Sequence, residues 1–457
     1  MYIQQIYTGC LAQAAYYIES NGEAAIIDPL RDIQDYLDMA TARKAKIKYI
    51  FETHFHADFV SGHIDLAKKT GAKIIFGPTA KTAYDVTVAK DMEEFPLGNE
   101  KIQVLHTPGH TMESSCFLLK DSKGKASAIF TGDTLFVGDI GRLDLAADDM
   151  SKDELPSMMY DSVEKLKKLS DDVIVYPGHG AGSACGKNIG KETTTTIGEQ
   201  RKKNPAFQSM ERKTFIHDMT SGQAAPPKYF FTDAKINRNG YEEGIDSLLG
   251  HVTGLTVTDF IKESHSGAVI LDTRMPIDFA KEHIPGSINI GLNGDFAVWV
   301  GTTINNVPII LVCDNDKEKE SVIRLARIGY DKVKGFLKGG VNTWKEAGEK
   351  VKTIHSISAE EFAKNVGKGQ PLDVRNETEF AQGTVSGSIT IPLGKLEESI
   401  NSLDKNTHYY VYCRSGYRSI IGTSILEKNG FTNLTNVEGG MNAIAKTQAK
   451  IEVPAIA

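Results

Sequence analysis

Two groups of residues in this 457-residue sequence have the types and spacing needed for chemistry. The first begins in FETHFHADFVSGH, Phe51 to His63, where His54, His56 and Asp58 follow an apolar run. Further on, HTPGHT carries His110, TGDTLF carries Asp133 and YPGHG carries His179, each beside another short apolar run. Imidazoles and carboxylates at strand ends are what a first-row metal ion requires, held by a stiff scaffold. A lone His-x-His pair is as often two ordinary polar residues. Three more ligand types in glycine-rich turns shift the reading to a metal site.

The second group is HYYVYCRSGYRS, His408 to Ser419. A strand leads into Cys413, a glycine turn and then a helix. Cys-x-x-Gly-x-Arg wraps backbone N–H groups around the sulfur. The helix N-terminus, Arg414 and Arg418 add positive potential, which favours an anionic persulfide. Ser415, Gly416 and Tyr417 complete the expected binding loop.

Elements must position these groups. Ala24 to Ile27, Ile47 to Phe51, Lys73 to Phe76, Ile102 to Leu105, Ala128 to Phe130 and Val173 to Val175 read as strands. Asp32 to Ala42, Gly62 to Lys69 and Asp153 to Leu169 read as amphipathic helices. Ser221 to Gly240 contains Pro-Pro and little periodicity, and reads as a closing tail and linker. Beyond it the chain repeats itself: Asp272, Phe279 and Gly286 recur at one constant offset as Asp373, Phe380 and Gly387. Gly339-Gly340 recurs as Gly439-Gly440, one residue out of that register. A repeat of that size is two copies of a whole domain, each alternating strands with helices as small α/β domains do. The first copy has CDNDKE, Cys313 to Glu318, where the second has CRSGYR. Three acidic residues there raise the pKa of a thiol and repel anionic sulfur, so this copy is expected to be inactive, a spacer or an interface.

Apolar and charged fractions of 40% and 24% are those of a soluble globular protein. The net charge of −7 argues against nucleic acid or an anionic membrane as partner. Met1 to Gly9 shows no secretory pattern and no apolar run is long enough to span a bilayer. Five cysteines without paired spacing fit a reducing compartment, and a cytoplasmic location is expected. Cys10 and Cys116 lie in apolar surroundings and read as packed.

THFHAD, HTPGHT, TGDTLF and YPGHG together resemble the metallo-β-lactamase superfamily over about residues 1–240. The resemblance implies an αβ/βα sandwich with metal at one end of the sheets. In two-zinc members a second-site His follows the Asp of His-x-His-x-Asp; here Phe59 stands there, which makes a two-metal hydrolytic clamp less favoured. GDTLFVGDIGRLDL, from Gly132, and TGCLAQAAYYI, from Thr8, resemble the persulfide dioxygenase branch. That resemblance implies one Fe(II) per chain held by His54, His110 and Asp133, with zinc as the alternative. His56, Asp58 and His179 then surround the ligands, and Arg142 and Tyr176 contact the thiol carrier. Cys185, in HGAGSACGK beside Lys187, resembles a cysteine near the metal cavity of some fused members and is expected to accept sulfur.

The Cys413 loop, with Asp373-Val374-Arg375 and GGMNA from Gly439, resembles rhodanese. The chain is therefore expected to hold a metallo-β-lactamase-fold domain over 1–245, followed by rhodanese-like α/β domains with mostly parallel sheets over 250–350 and 351–457. The expected activity is oxidation of a low-molecular-weight persulfide by dioxygen to sulfite and thiol, coupled to sulfur transfer through Cys413 that yields thiosulfate. The alternatives are a glyoxalase II-like zinc thioester hydrolase and a non-enzymatic sulfane-sulfur carrier. Members of this branch are often oligomers, which implies a homo-oligomer.

Overall fold

The computed structural model describes residues 1–145, 151–223 and 225–453. Its contacts divide the chain into two compact units. One comprises Met1–Ile245 with Ala326–Gly329, the other Asp246–Leu325 with Tyr330–Ala457.

The first unit is built by strand alternation. In Gln13–Ser20, Ala14, Tyr16 and Ile18 point to one core, while Ala15 and Tyr17 point to another. In Ser115–Lys120, Phe117 and Leu119 join the first of these cores, while Cys116 and Leu118 enter a third. Strands apolar on both faces must be covered on both. Among the described residues two six-stranded sheets result. One runs in chain order from Tyr2–Thr8 to Thr87–Val88, the other from Thr195–Thr196 back to Glu94–Leu97. Tyr16, Phe51, Phe117 and Phe130 fill the space between them. Helices Gln34–Arg43 and His63–Thr70 cover one outer face through Tyr36, Ala40 and Leu66. Helix Glu154–Leu166 covers the other through Met159, Val163 and Leu166. This is the expected αβ/βα sandwich.

In the second unit the repeat is visible as topology. Val269–Asp272 lies between Ile309–Val312 and Ile288–Asn289, with Val333–Leu337 and Gly254–Leu255 beyond, all parallel. Gln370–Asp373, Tyr409–Tyr412, Ile389–Thr390, Leu434–Val437 and His355–Ile357 repeat that order and direction. In each copy the strand next to the sheet edge, Val269–Asp272 or Gln370–Asp373, ends on a buried carboxylate that the residue two further on grips: Arg274 Nη2 lies 2.6 Å from Asp272 Oδ2, and Arg375 Nη2 lies 2.7 Å from Asp373 Oδ2.

The segment expected to be the closing tail and linker stays within the first unit, and part of it is helical. Phe230–Asn239 forms a helix whose buried residues are Phe230, Asp233 and Asn237. Two of the three are polar, so no apolar stripe announced it in the sequence. Cys116 is buried as expected, whereas Cys10 is half-buried. No helix among the described residues is long and apolar enough to cross a membrane.

Removing one partner of a buried ion pair leaves the other charge uncompensated. Asp272→Ala should destabilise the rhodanese-like half by roughly 3–5 kcal/mol, read as a lower urea midpoint for its unfolding transition.

Candidate metal centre

Three strand-end turns deliver the ligands. Lys46–Glu52 leads into His54, Glu100–His106 leads toward His110, and Ala126–Gly132 leads into Asp133. One ligand atom from each lies within 4.8 Å of the others. His110 Nε2 and His54 Nε2 are 3.5 Å and 3.9 Å from Asp133 Oδ2. Glycines allow this closeness: a Cβ at Gly178 would lie 2.7 Å from Asp133 Oδ1, and one at Gly141 would lie 2.0 Å from the Asp133 carbonyl oxygen.

The remaining ring nitrogens settle which atoms face the site. His110 Nδ1 is 2.9 Å from the Arg142 carbonyl, which only accepts, so Nδ1 carries the proton and Nε2 presents a lone pair. The Thr53 hydroxyl donates to Asp28 Oδ2 at 2.8 Å, leaving its oxygen to accept from His54 Nδ1 at 2.9 Å. Burial, then the neighbouring imidazoles of His56, His110 and His179, holds the His54 pKa well below its usual value, so the ring is neutral as a ligand must be. Among the described residues, His54 Nε2, His110 Nε2 and both Asp133 oxygens are buried without a hydrogen-bond partner. Such atoms are costly to bury unless something satisfies them. The donor set fits a bound first-row divalent ion.

His56 turns the other way. Its Nε2 lies 3.1 Å from Asp28 Oδ1 and 3.4 Å from Glu52 Oε2. Burial opposes its charge, but Asp28 and Glu52 outweigh burial and hold its pKa well above the ordinary value. Phe59, at the position of the missing histidine, stacks on the His56 ring at 4.2 Å. Asp58 and His179 gather with Cys185 as a second group of possible donors, with His179 Nε2 3.4 Å from Asp58 Oδ2 and 3.5 Å from Asp133 Oδ1.

Three expected site residues have partners that their sequence surroundings did not show. Cys185 was expected beside the Lys187 ammonium. Instead Lys187 Nζ binds the carbonyls of Asp218 and Ser221, and burial with Asp58 and Asp133 holds the Cys185 pKa well above the usual thiol range. That environment suits a thiol or a metal-bound sulfur, not a free nucleophilic thiolate. The Arg142 guanidinium, expected on a substrate carboxylate, forks onto Asp144 at 2.6 and 2.7 Å and reaches the Ala184 carbonyl. Its contribution to the metal site is its carbonyl. Arg418, expected to add positive charge near the sulfur, pairs with Glu379 at 2.6 and 2.8 Å and also interacts electrostatically with Cys413. Tyr176 stacks on Phe130 at 5.1 Å and is half-buried.

Asn237 was missed by sequence reasoning. Its Nδ2 donates to the His56 and Phe59 carbonyls at 2.7 Å each, and its Oδ1 accepts from Ser61 N at 2.9 Å. It clamps the loop that carries His54 to Asp58. Only its position in a tail of low periodicity marked it, which is no signal.

At Cys413 the sulfur accepts the Gly416 N–H at 3.1 Å, at the head of helix Tyr417–Lys428. In the first copy, burial with Glu318, Asp272 and Asp314 pushes the Cys313 thiol up to about 12.

Family comparisons agree with this geometry. Residues 8–179 match the metallo-beta-lactamase superfamily, and residues 256–347 and 358–447 match the rhodanese-like domain. A crystal structure described as a metallo-beta-lactamase from Staphylococcus aureus subsp. aureus COL is 35% identical. The match covers 73% of this chain and 98% of that one, with a TM-score of 0.66. The chain belongs to the metallo-β-lactamase superfamily and carries two rhodanese-like domains. ETHE1 from Myxococcus xanthus is 30% identical over 52% of this chain and 98% of its own, with a TM-score of 0.45. Hydroxyacylglutathione hydrolase from Brucella ovis is 40% identical over 137 residues, 29% of this chain and 48% of that protein. The chain thus spans about half the length of the curated relatives it matches.

Groups that orient a metal ligand typically contribute 10–100-fold to affinity. Thr53→Val should therefore weaken metal binding about 10–100-fold in a chelator competition, and Asp133→Ala should abolish stoichiometric binding by elemental analysis.

Proposed function

We propose that this protein is a non-haem Fe(II) persulfide dioxygenase coupled to a sulfurtransferase. The observation that carries this reading is the group His54, His110 and Asp133, two imidazoles and a carboxylate with their lone pairs aimed at one point. Two-His-one-carboxylate sets with open positions suit Fe(II) oxygen chemistry. Diversion of His56 to Asp28 and Glu52 supports it, since a third imidazole would make a zinc-type set.

The reaction would be RSSH + O2 + H2O → RSH + SO3²⁻ + 2H⁺. Bound Fe(II) would supply the redox chemistry that lets dioxygen react with sulfur. Thr53 and the Arg142 carbonyl keep both imidazoles in the ligating tautomer, and Asn237 fixes the loop beneath them. In the second half, Cys413 would carry a sulfane sulfur, its anionic form held by the Gly416 N–H. Attack by sulfite on that sulfur releases thiosulfate and returns the electron pair to Cys413.

Hydrolysis of a glutathione thioester is the second reading. Asp58, His179 and Cys185 beside Asp133 favour it, because they offer donors for a second ion.

Protein loaded anaerobically with Fe(II) should consume dioxygen with glutathione persulfide and release sulfite, and chelation should abolish the uptake. Thioester cleavage by the zinc-loaded protein, without oxygen uptake by the iron-loaded one, would install the second reading. Cys413→Ser should remove thiosulfate formation while oxygen uptake persists.

A further inference from the structure

His54 and His110 reach one point from different sheets. His54 follows Lys46–Glu52 of the first sheet, while His110 lies between Glu100–His106 and Ser115–Lys120 of the second. A ligand set must hold its geometry to about 0.5 Å. Apolar contact between sheets is non-directional and does not by itself fix their ends that closely. Resting on the metal centre, whichever of the two reactions it serves, we infer that Glu113 is a positioning residue. One buried carboxylate oxygen fastens the two histidine turns to each other and sets their separation.

Glu113 is buried in the turn that follows His110. Its Oε1 accepts the Phe55 N–H at 2.9 Å, one residue beyond His54. The same atom accepts the Thr111 hydroxyl at 2.8 Å, one residue beyond His110. An ionised carboxylate only accepts, so the Thr111 hydroxyl must donate to it. The oxygen of that hydroxyl then accepts from Ser114 Oγ at 2.8 Å, and Ser114 Oγ accepts the Thr111 N–H at 3.0 Å. The proton order of the whole turn follows from one carboxylate.

The surrounding backbone shows that the two sheets meet here. Ser115 N donates to the Thr53 carbonyl at 2.9 Å, directly behind His54. Gly77 follows Lys73–Phe76 of the first sheet and comes so close that a Cβ there would lie 1.8 Å from Ser115 Oγ and 2.9 Å from the Glu113 carbonyl oxygen. Burying a carboxylate is costly unless hydrogen bonds offset the loss of water, and charge-assisted bonds are the strong ones. Both partners of Glu113 Oε1 belong to turns that carry a ligand. A carboxylate kept only for packing has no reason to divide one oxygen between them. Asn237 clamps the His54 to Asp58 loop on its carbonyl side, and Glu113 joins that loop to the His110 turn.

The test titrates the full-length protein with up to one equivalent of Co(II) in the absence of oxygen. Chelator competition reads the affinity, and visible absorption reads the arrangement of the ligands. Glu113→Leu removes both arms. It should weaken Co(II) binding about 10–100-fold, the range for groups that orient a ligand, and shift the absorption bands. Glu113→Gln keeps an oxygen able to accept from both donors, and should restore the wild-type spectrum and most of the affinity. Both substitutions fill the space, so the contrast between them reads hydrogen bonding and not packing. Thr111→Val drops the arm to the His110 turn alone and should shift the bands the same way by less. It decides the matter should Glu113→Leu fail to fold. Wild-type spectrum and affinity in Glu113→Leu, or in Thr111→Val in its place, overturn the brace and leave the metal centre standing. Equal losses in the Leu and Gln variants overturn it too, since charge and not bridging would then be responsible. Failure of the wild type to bind Co(II) removes the metal centre and the brace with it.

Discussion

The first unit is organised around buried lone pairs that nothing among the described residues satisfies. His54 Nε2, His110 Nε2 and the Asp133 carboxylate face one another in a water-poor site. Without a cation that arrangement is unfavourable, since acceptors buried together repel and none donates to another. The surrounding structure holds it in place regardless. Backbone and hydroxyl acceptors occupy the opposite ring nitrogens, glycines let the turns close, and two sheets anchor the strands that deliver the ligands. The folded chain thereby sets aside interaction energy that an ion can recover on binding.

The same physics divides one short motif between two tasks. His54 and His56 stand two residues apart, yet one faces the ion site and the other a pair of carboxylates. Asp28 connects them, accepting from Thr53 behind His54 while its other oxygen lies against His56. Burial raises the Glu52 pKa above the usual carboxylate range, with His56 and Ser61 opposing that shift. Phe59 packs flat on His56 and supplies apolar contact where an imidazole would supply a ligand. A change at any of these groups should reach the metal site through the ligand tautomers without touching the ion.

In the rhodanese-like half, one scaffold carries opposite electrostatics. Both copies close the strand beside their central one with the same Asp–Arg grip. The loops then diverge. Around Cys313, acidic neighbours and burial make a thiolate unfavourable. Around Cys413, a backbone N–H at a helix start meets the sulfur. The acidic loop of the first copy leaves its fold intact, because the grip and the core depend on residues outside the loop.

Much of this was legible in the residues alone. Period-two alternation disclosed the strands, because each face of a sheet must find its own core. The candidate metal ligands announced themselves because imidazoles and carboxylates in glycine turns have few other reasons to cluster. The repeat disclosed two domains, and CDNDKE disclosed which copy carries an acidic loop in place of the Cys-x-x-Gly-x-Arg pattern. Direction and partnership were not legible. No spacing told that Arg142 and Arg418 would spend their charge on Asp144 and Glu379, or that Cys185 would meet two carboxylates instead of Lys187. Asn237 was invisible for the same reason. A side chain's chemical type is local information, whereas its protonation, its partner and its freedom to bind depend on groups far along the chain that only folding brings within a few ångströms.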